Sequence, residues 1–141
     1  MPIEIAHVRS GDLDAIYRAT EREALRSFYD FTVIWHEERH EFAATDGETT
    51  VGGTTIRIAA SLAHVDRIVV APAYRRKGVG RQLLDAAADV ANYYNCHKMT
   101  VMVPHKSAVQ KFFEAAGYRE EAVLPQHTFK LDMAMLRKFL L

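Results

Sequence analysis

A basic, glycine-containing turn between a predicted strand and a predicted helix constrains the fold of this chain more than any other feature. The turn spans residues 75–80, Arg-Arg-Lys-Gly-Val-Gly, between the run Ile68–Val70 and a helical pattern that includes Leu83. Glycine lets a backbone turn tightly and approach a ligand closely. The first N–H groups of a helix lack partners within it, and the helix dipole attracts anions. We therefore predict a phosphate or pyrophosphate site, with cations from Arg75, Arg76, Lys77 and Arg81.

Two common phosphate-binding motifs do not fit this turn. A dinucleotide-binding turn needs a third glycine at the position where this chain has Leu83. A P-loop needs Gly-x-x-x-x-Gly-Lys followed by Ser or Thr, and the sequence lacks that pattern. The chain instead has Arg-x-x-Gly-x-Gly, preceded by Val70-x-Pro72 and followed by Leu83-Leu84. Taken alone, the basic residues also fit a solvated loop.

A second segment narrows the interpretation of the turn. From Val101 to Tyr118 the chain reads as a strand, a polar break and a helix that ends in Phe-Phe-Glu-Ala-Ala-Gly-Tyr. Together the two segments resemble motifs A and B of the GNAT superfamily, the acetyl-CoA-dependent N-acetyltransferases. The resemblance covers roughly residues 50–135 and, more loosely, the whole chain. It implies one α/β (α+β) domain over residues 1–141, with a mixed central β-sheet flanked by helices on both faces.

The resemblance also implies where acetyl-CoA would bind. In the family, the turn and the following helix hold the pyrophosphate, and the preceding strand separates from its neighbour to pair with the pantetheine arm. The N–H of Ile68 would then face the acetyl carbonyl, and the N–H of Val70 would bind the pantetheine. The residues expected to bind the coenzyme are Ile68, Val69, Val70, Arg75, Arg76, Lys77, Gly78, Val79, Gly80, Arg81, Lys106 and Phe113.

Composition excludes several classes of protein. The 141 residues are 49% hydrophobic and 26% charged, as in an ordinary soluble domain. Lys+Arg and Asp+Glu balance at 18 each, so we expect no nucleic-acid partner. No signal peptide or apolar run of membrane-spanning length is present, so we expect no membrane partner. The single cysteine, Cys96, is compatible with a reducing environment, and we expect a cytoplasmic location.

Hydrophobic periodicity gives the order of the elements. Weak alternation predicts a first strand over Ile3–Val8, and a helix begins within residues 11–14. Further strands are predicted over residues 41–45, 49–59, 61–70, 97–103, 118–124 and 127–135, and later helices over 78–95 and 107–116. The mixed pattern of residues 28–40 indicates a loop. Strands interleaved with helices predict a mixed sheet covered on both faces.

His64 and Asp66 are the candidate catalytic residues. Alternate residues of a strand share a face, so we expect His64, Asp66, Ile68 and Val70 to point together. Several GNAT relatives place a glutamate base eleven residues before the first basic residue of the turn, and here that position is His64. Histidine titrates near neutrality and can accept a proton directly or through water. Asp66 could act likewise or orient His64; alternatively, both side chains simply face solvent.

The second motif departs from the family pattern at two positions. Phe113 stands where relatives commonly have a tyrosine that protonates the leaving thiolate, so this chain needs another donor or none. Lys106, or His105 in a shifted register, replaces an asparagine and could contact a phosphate or the pantetheine. Core packing is the alternative role for the two phenylalanines, and we expect it for Phe112.

The resemblance places the acceptor between the first helical region and the last two strands. Candidate contacts there are Tyr29, Phe31, Trp35, His36, Glu37, Glu38 and His127. Carboxylates and aromatic rings would suit a cationic amine. His36 and His40 are four residues apart and could share a helical face as metal ligands, but no third ligand is evident and we expect no metal.

The sequence therefore favours an N-acetyltransferase that moves an acetyl group from acetyl-CoA to a primary amine of a small molecule, peptide or protein. Direct attack within a ternary complex would need no covalent enzyme intermediate. Two alternatives stay open: a coenzyme-A-binding module without catalysis, which Phe113 favours, and transfer of a different acyl group. Members of the family often form dimers, so a homodimer also stays open.

Overall fold

The computed structural model describes residues 2–31, 33 and 35–140 of the chain. These residues form two compact units, which divide between Trp35 and His36. That residues 1–141 make one domain stays a prediction.

The first unit contains one helix, α1 (Asp14–Arg26). Asp14 lies in its first turn and Arg26 in its last turn, so both charges complement the helix dipole. The predicted helix is confirmed. The predicted strand over Ile3–Val8 is wrong, because these residues form no strand and pair with no described neighbour. A weakly alternating segment gains little from an extended conformation unless another strand satisfies its backbone groups.

The second unit is built on a six-stranded mixed sheet. Its strands are β1 (Glu38–Asp46), β2 (Thr49–Ala59), β3 (Leu62–Val70), β4 (Lys98–Pro104), β5 (Arg119–Thr128) and β6 (Leu131–Phe139). They lie in the order β1-β2-β3-β4-β6-β5. β3 and β4 are parallel and all other neighbours are antiparallel. The mixed sheet with helices confirms the predicted α/β (α+β) class.

Two helices complete this unit, α2 (Val79–Tyr93) and α3 (Ala108–Ala115). Ser107 caps α3, since its hydroxyl accepts from the N–H of Gln110. Both helices pack on the same face of the sheet, because one continuous core joins them to alternate strand residues. The core includes Leu84, Ala87 and Ala91 of α2, Phe113 of α3, and Ile56, Val65, Met99, Val101 and Leu136 of the sheet. Helical cover on the opposite face stays a prediction.

A β-bulge at Asp66 changes the direction of the side chains along β3. Ile56 of β2 pairs with Val65, but the preceding Thr55 pairs with Arg67, so Asp66 is an extra residue. Ahead of the bulge, Val65 faces the helices and His64 faces away. Beyond it, Ile68 packs against the core on the helix side. The expectation that His64, Asp66, Ile68 and Val70 point together is therefore wrong.

Candidate active site at the split between two parallel strands

The parallel strands β3 and β4 separate halfway along their length. Their pairing runs from Leu62↔Lys98 to Val65↔Val101 and stops there, while β3 continues to Val70. The edge of β3 beyond Val65 therefore has no strand partner on the β4 side. A cleft of about 440 Å³ opens at this split. It is lined by Ile68, Val69, Val70, Tyr74, Arg75, Arg76, Gly78, Val79, Gly80, Arg81, Val109 and Phe112. The structure thus brings together every predicted coenzyme-binding residue except Lys77, Lys106 and Phe113.

The turn before α2 presents a row of unpaired N–H groups to this cleft. None of the peptide N–H groups from Arg76 to Arg81 donates to another backbone group in the described residues. Gly78 has φ +82° and Arg76 has φ +61°, so the backbone bends in a way that exposes successive amides. Such consecutive N–H groups at a helix N-terminus form an anion-binding concavity.

The two glycines of the turn have different roles. Gly78 adopts the left-handed conformation that glycine tolerates best, and nothing lies within 4 Å of an added Cβ. An added Cβ at Gly80 would lie only 2.9 Å from Phe112 Cζ. Gly80 therefore permits α2 to approach α3 closely, whereas Gly78 allows the turn itself.

The four cations around the turn also differ. Arg75 Nε donates to the carbonyl of Val70 at 3.0 Å and so ties the turn to the end of β3. Arg81 pairs with Asp85 at 3.4 Å, and Lys77 lies over the ring of Tyr74. The exposed side chain of Arg76 makes no hydrogen bond or ion pair within the described residues. Arg76 is thus the cation with the most freedom to meet an anion.

His64 lies beside the split, on the sheet face away from the helices. Its Nδ1 is 2.7 Å from the hydroxyl oxygen of Thr100, the residue opposite it on β4. Burial lowers the pKa of His64 and nearby Arg57 lowers it further, while Asp66 raises it; the net direction is downward. The imidazole is therefore neutral at pH 7. When Nδ1–H donates to Thr100, Nε2 carries the lone pair of a base.

Asp66 is held by an arginine and not by His64. Arg57 Nε donates to both carboxylate oxygens, at 2.8 and 2.9 Å. This hydrogen bond lowers the pKa of Asp66, which makes its carboxylate a weaker proton acceptor. Thr100, and not Asp66, is the residue that orients the histidine ring.

Phe112 packs against the core, as expected, and it also lines the cleft, whereas Phe113, which was expected to bind the coenzyme, does not line it. Phe113 is 0% exposed and packs edge-on between Phe112 and Tyr118, so it has no surface to offer a ligand. Phe112 is partly exposed and lines the cleft together with Val109, three residues earlier on α3. A three-residue spacing places both on one helical face. That spacing was the signal by which the sequence could have identified this wall of the cleft.

The loop before α3 holds Lys106 outside the cleft. Lys106 has φ +60°, and its N–H donates to Gln110 Oε1 at 2.8 Å. The neighbouring His105 lies 3.0 Å from the carboxylate of Glu120. A role for Lys106 in coenzyme binding stays a prediction.

The pair His36 and His40 does not share a helical face, because His40 lies on β1. The carboxylate of Glu38 is 3.1 Å from His36 Nε2 and 3.5 Å from His40 Nε2. Among the described residues, no group of three or more His, Cys, Asp or Glu side chains is arranged to hold a metal ion.

The sequence model of the Acetyltransferase (GNAT) family matches residues 10–118. This chain belongs to the GNAT acetyltransferase family. Members of the family typically use acetyl-CoA, which fits the unpaired amides and the cleft of this GNAT protein. No helix in the described part of the chain is long and apolar enough to cross a membrane.

Solved structures show the same fold. An acetyltransferase from Bacillus cereus is similar with a TM-score of 0.74 and 22% identity, over 96% of this chain and 98% of that one. The ribosomal-protein-S18-alanine N-acetyltransferase from Escherichia coli gives a TM-score of 0.65 and 19% identity, over 95% and 91% of the two chains. An IAA acetyltransferase from Bacillus cereus is similar with a TM-score of 0.65 and 21% identity, over 71% of this chain and 77% of that one. No curated protein sequence matches this GNAT protein.

Proposed function

We propose that this GNAT protein is an N-acetyltransferase, which moves the acetyl group of acetyl-CoA to a primary amine of a small molecule, peptide or protein. The observation that carries the proposal is the meeting of three features at one split in the sheet. These are the unpaired amides of residues 76–81, the cleft beside β3, and neutral His64 on the opposite face.

Three parts of acetyl-CoA, the pyrophosphate, the pantetheine arm and the acetyl group, would each have a counterpart at the split. The pyrophosphate would accept hydrogen bonds from the amides of residues 76–81, with Arg76 adding charge. The pantetheine arm would pair with the edge of β3 that β4 leaves unpaired beyond Val65. The N–H of Ile68 would donate to the acetyl carbonyl oxygen and stabilise the negative charge that develops there.

The transfer needs a neutral amine and a leaving thiolate. The amine nitrogen attacks the thioester carbon, the carbon–sulfur bond breaks, and the sulfur leaves with the electron pair. His64 Nε2 takes the proton from the amine, directly or through water. Because Phe113 has no hydroxyl group and is buried, the thiolate takes its proton from protonated His64 or from solvent. Holding both substrates at the split supplies much of the rate.

A second candidate function is a coenzyme-A-binding module without catalysis. The observation that favours it is Phe113, which stands where relatives commonly have a tyrosine acid.

We also place the protein in the cytoplasm, because its single cysteine, Cys96, is buried and unpaired.

The test is calorimetric titration with acetyl-CoA, followed by thiol release against a panel of amines and peptides. Binding with amine-dependent release would support the transferase. Binding without release for any amine would favour the non-catalytic module. If acetyl-CoA does not bind at all, the assignment of the turn and the cleft is wrong.

A further inference from the structure

A row of polar side chains crosses the whole sheet on the face away from the helices. Directly opposed residues link all six strands in one line: Arg39↔Arg57, Arg57↔His64, His64↔Thr100, Thr100↔Arg137 and Arg137↔Arg119. Opposed residues of paired strands project to the same face. His64 therefore stands in the middle of a row that contains four arginines and no acidic residue.

Three of the four arginines of this row form no ion pair within the described residues, although Arg39 lies near enough to Asp66 to help lower the pKa of that carboxyl. Arg57 is paired with Asp66, and Glu37 adds a further negative charge near Arg57. Among residues 2–31, 33 and 35–140, no ion pair involves Arg39, Arg137 or Arg119. The Arg137 guanidinium lies 4.4 Å from the ring centroid of Phe139, a contact that steadies it without neutralising its charge.

The arginines lie within reach of a group bound at His64. Neighbouring strands are about 4.8 Å apart, so Arg39 and Arg137 flank His64 at roughly 10 Å on either side. Arginine side chains are long enough to reach back over much of that distance. Their planar guanidinium groups bind carboxylate and phosphate through paired hydrogen bonds.

We propose that the acceptor is an amine that also carries an anionic group, a carboxylate or a phosphate. The amine lies at His64 while Arg137 or Arg39 holds the anion. This inference rests on the proposed acetyl transfer at His64. It replaces the expectation of a purely cationic amine, because the arginines of the row repel a second positive charge and offer an anion its partner.

The test compares amines that differ only in the anionic group. The pairs are L-amino acids with their amides, and O-phosphoethanolamine with ethanolamine. Thiol release with saturating acetyl-CoA gives kcat/KM, and calorimetry with bound coenzyme A gives affinity. We expect the anionic member to be preferred by about tenfold or more, because a hydrogen bond to a charged group is worth that much. The carboxylate and phosphate pairs show which anion the row binds.

Variants then show whether the row causes the preference. Arg137→Gln or Arg39→Gln should raise KM for the anionic member of a pair. The KM for the neutral member and the kcat for both should stay nearly unchanged. Lys130→Gln, the same loss of charge in the turn between β5 and β6, should change nothing. Equal kcat/KM or equal affinity for both members of every pair would overturn the inference. A variant that lowers kcat/KM equally for both members would also overturn it.

The two proposals can fail separately. If no amine releases thiol but the anionic members still bind better in calorimetry, the acetyl transfer is wrong and the anion site stands. If thiol release is rapid and has the same rate with and without the anionic group, the proposed acetyl transfer is supported and the proposed anion site is wrong.

Discussion

The two faces of the central sheet carry different side chains. Under α2 and α3 the sheet presents apolar side chains that are fully buried, such as Ile56, Met99 and Leu136. The opposite face carries the arginine row with His64 at its centre. A close-packed apolar face fixes the positions of the strands, and this rigidity lets the other face hold polar groups in a constant arrangement. β3 contributes to both faces, because the bulge at Asp66 exchanges its side chains at the point where the split begins.

The largest effect is expected on the packed face. Phe113→Ala should lower the free energy of unfolding by about 3–5 kcal/mol, because it leaves a cavity among fully buried side chains. Urea denaturation followed by circular dichroism measures the loss. Phe139→Ala is the matched control. Because Phe139 is 59% exposed, this substitution should lower the free energy of unfolding far less. Equal losses of unfolding free energy in the two variants would mean that the packed face contributes no more to stability than the exposed one.

His64→Gln should lower kcat by at least about 100-fold, because it removes the proposed base on the polar face. In the wild-type protein, the acid limb of kcat/KM against pH, which reports groups of the free enzyme, should lie below pH 6.5, since the pKa of His64 is lowered. Thr100→Val should reduce kcat less, because it removes only the group that orients the ring. A His64→Gln variant with the wild-type rate would exclude the proposed base.

The same histidine should make stability depend on pH. Because the pKa of His64 is lowered in the fold, the unfolded chain takes up its proton first as the pH falls. The resulting loss of stability is absent above pH 6.5 and grows as the pH falls from 6.5 towards the folded-state pKa. His64→Gln should remove this part of the pH dependence in urea denaturation. Identical slopes in the two proteins would contradict the lowered pKa.

Gly78→Glu should weaken acetyl-CoA binding by about tenfold or more relative to Gly78→Ala, as measured by calorimetry. Both variants carry the same backbone strain at φ +82°, so their difference isolates the carboxylate that the unpaired amides would attract in place of the pyrophosphate. Equal affinities would argue against the anion site. Gly80→Glu is less informative, because its side chain would displace Phe112.

The smallest effect is expected at the ion pair on the polar face. Asp66→Asn should cost only about 0.2–1 kcal/mol of stability, because the Arg57 side chain is 46% exposed and water screens the ion pair. Since the pKa of Asp66 is lowered, this contribution is present above pH 3.8 and disappears as the pH falls further. The kcat should stay near the wild-type value. A loss of kcat as large as that of His64→Gln would mean that Asp66 also takes part in the reaction.

Much of the fold was predictable from the sequence, because its signals are local. The alternation of residues 49–59 predicts β2 over its full length, and the helical pattern after Gly78 predicts α2 to within two residues of its end. The prediction of a strand over Ile3–Val8 was wrong, because alternation describes the segment itself and does not show whether another strand pairs with it. The complete burial of Phe113, which was expected to contact the coenzyme, could not be predicted, since neighbouring residues on a helix both look apolar and only docking decides which is fully buried.

By itself, the sequence determined the basic, glycine-containing turn before α2 of this GNAT protein. Its glycine, its cations and the unpaired amides at the start of α2 lie within a few consecutive residues, so local chemistry suffices. Only the tertiary structure decided what the turn faces. The split between β3 and β4, the bulge at Asp66 and the arginine row depend on the register of strands that are distant in the chain. Register is chosen by the packing of the whole sheet, because a shift of one residue exchanges its two faces.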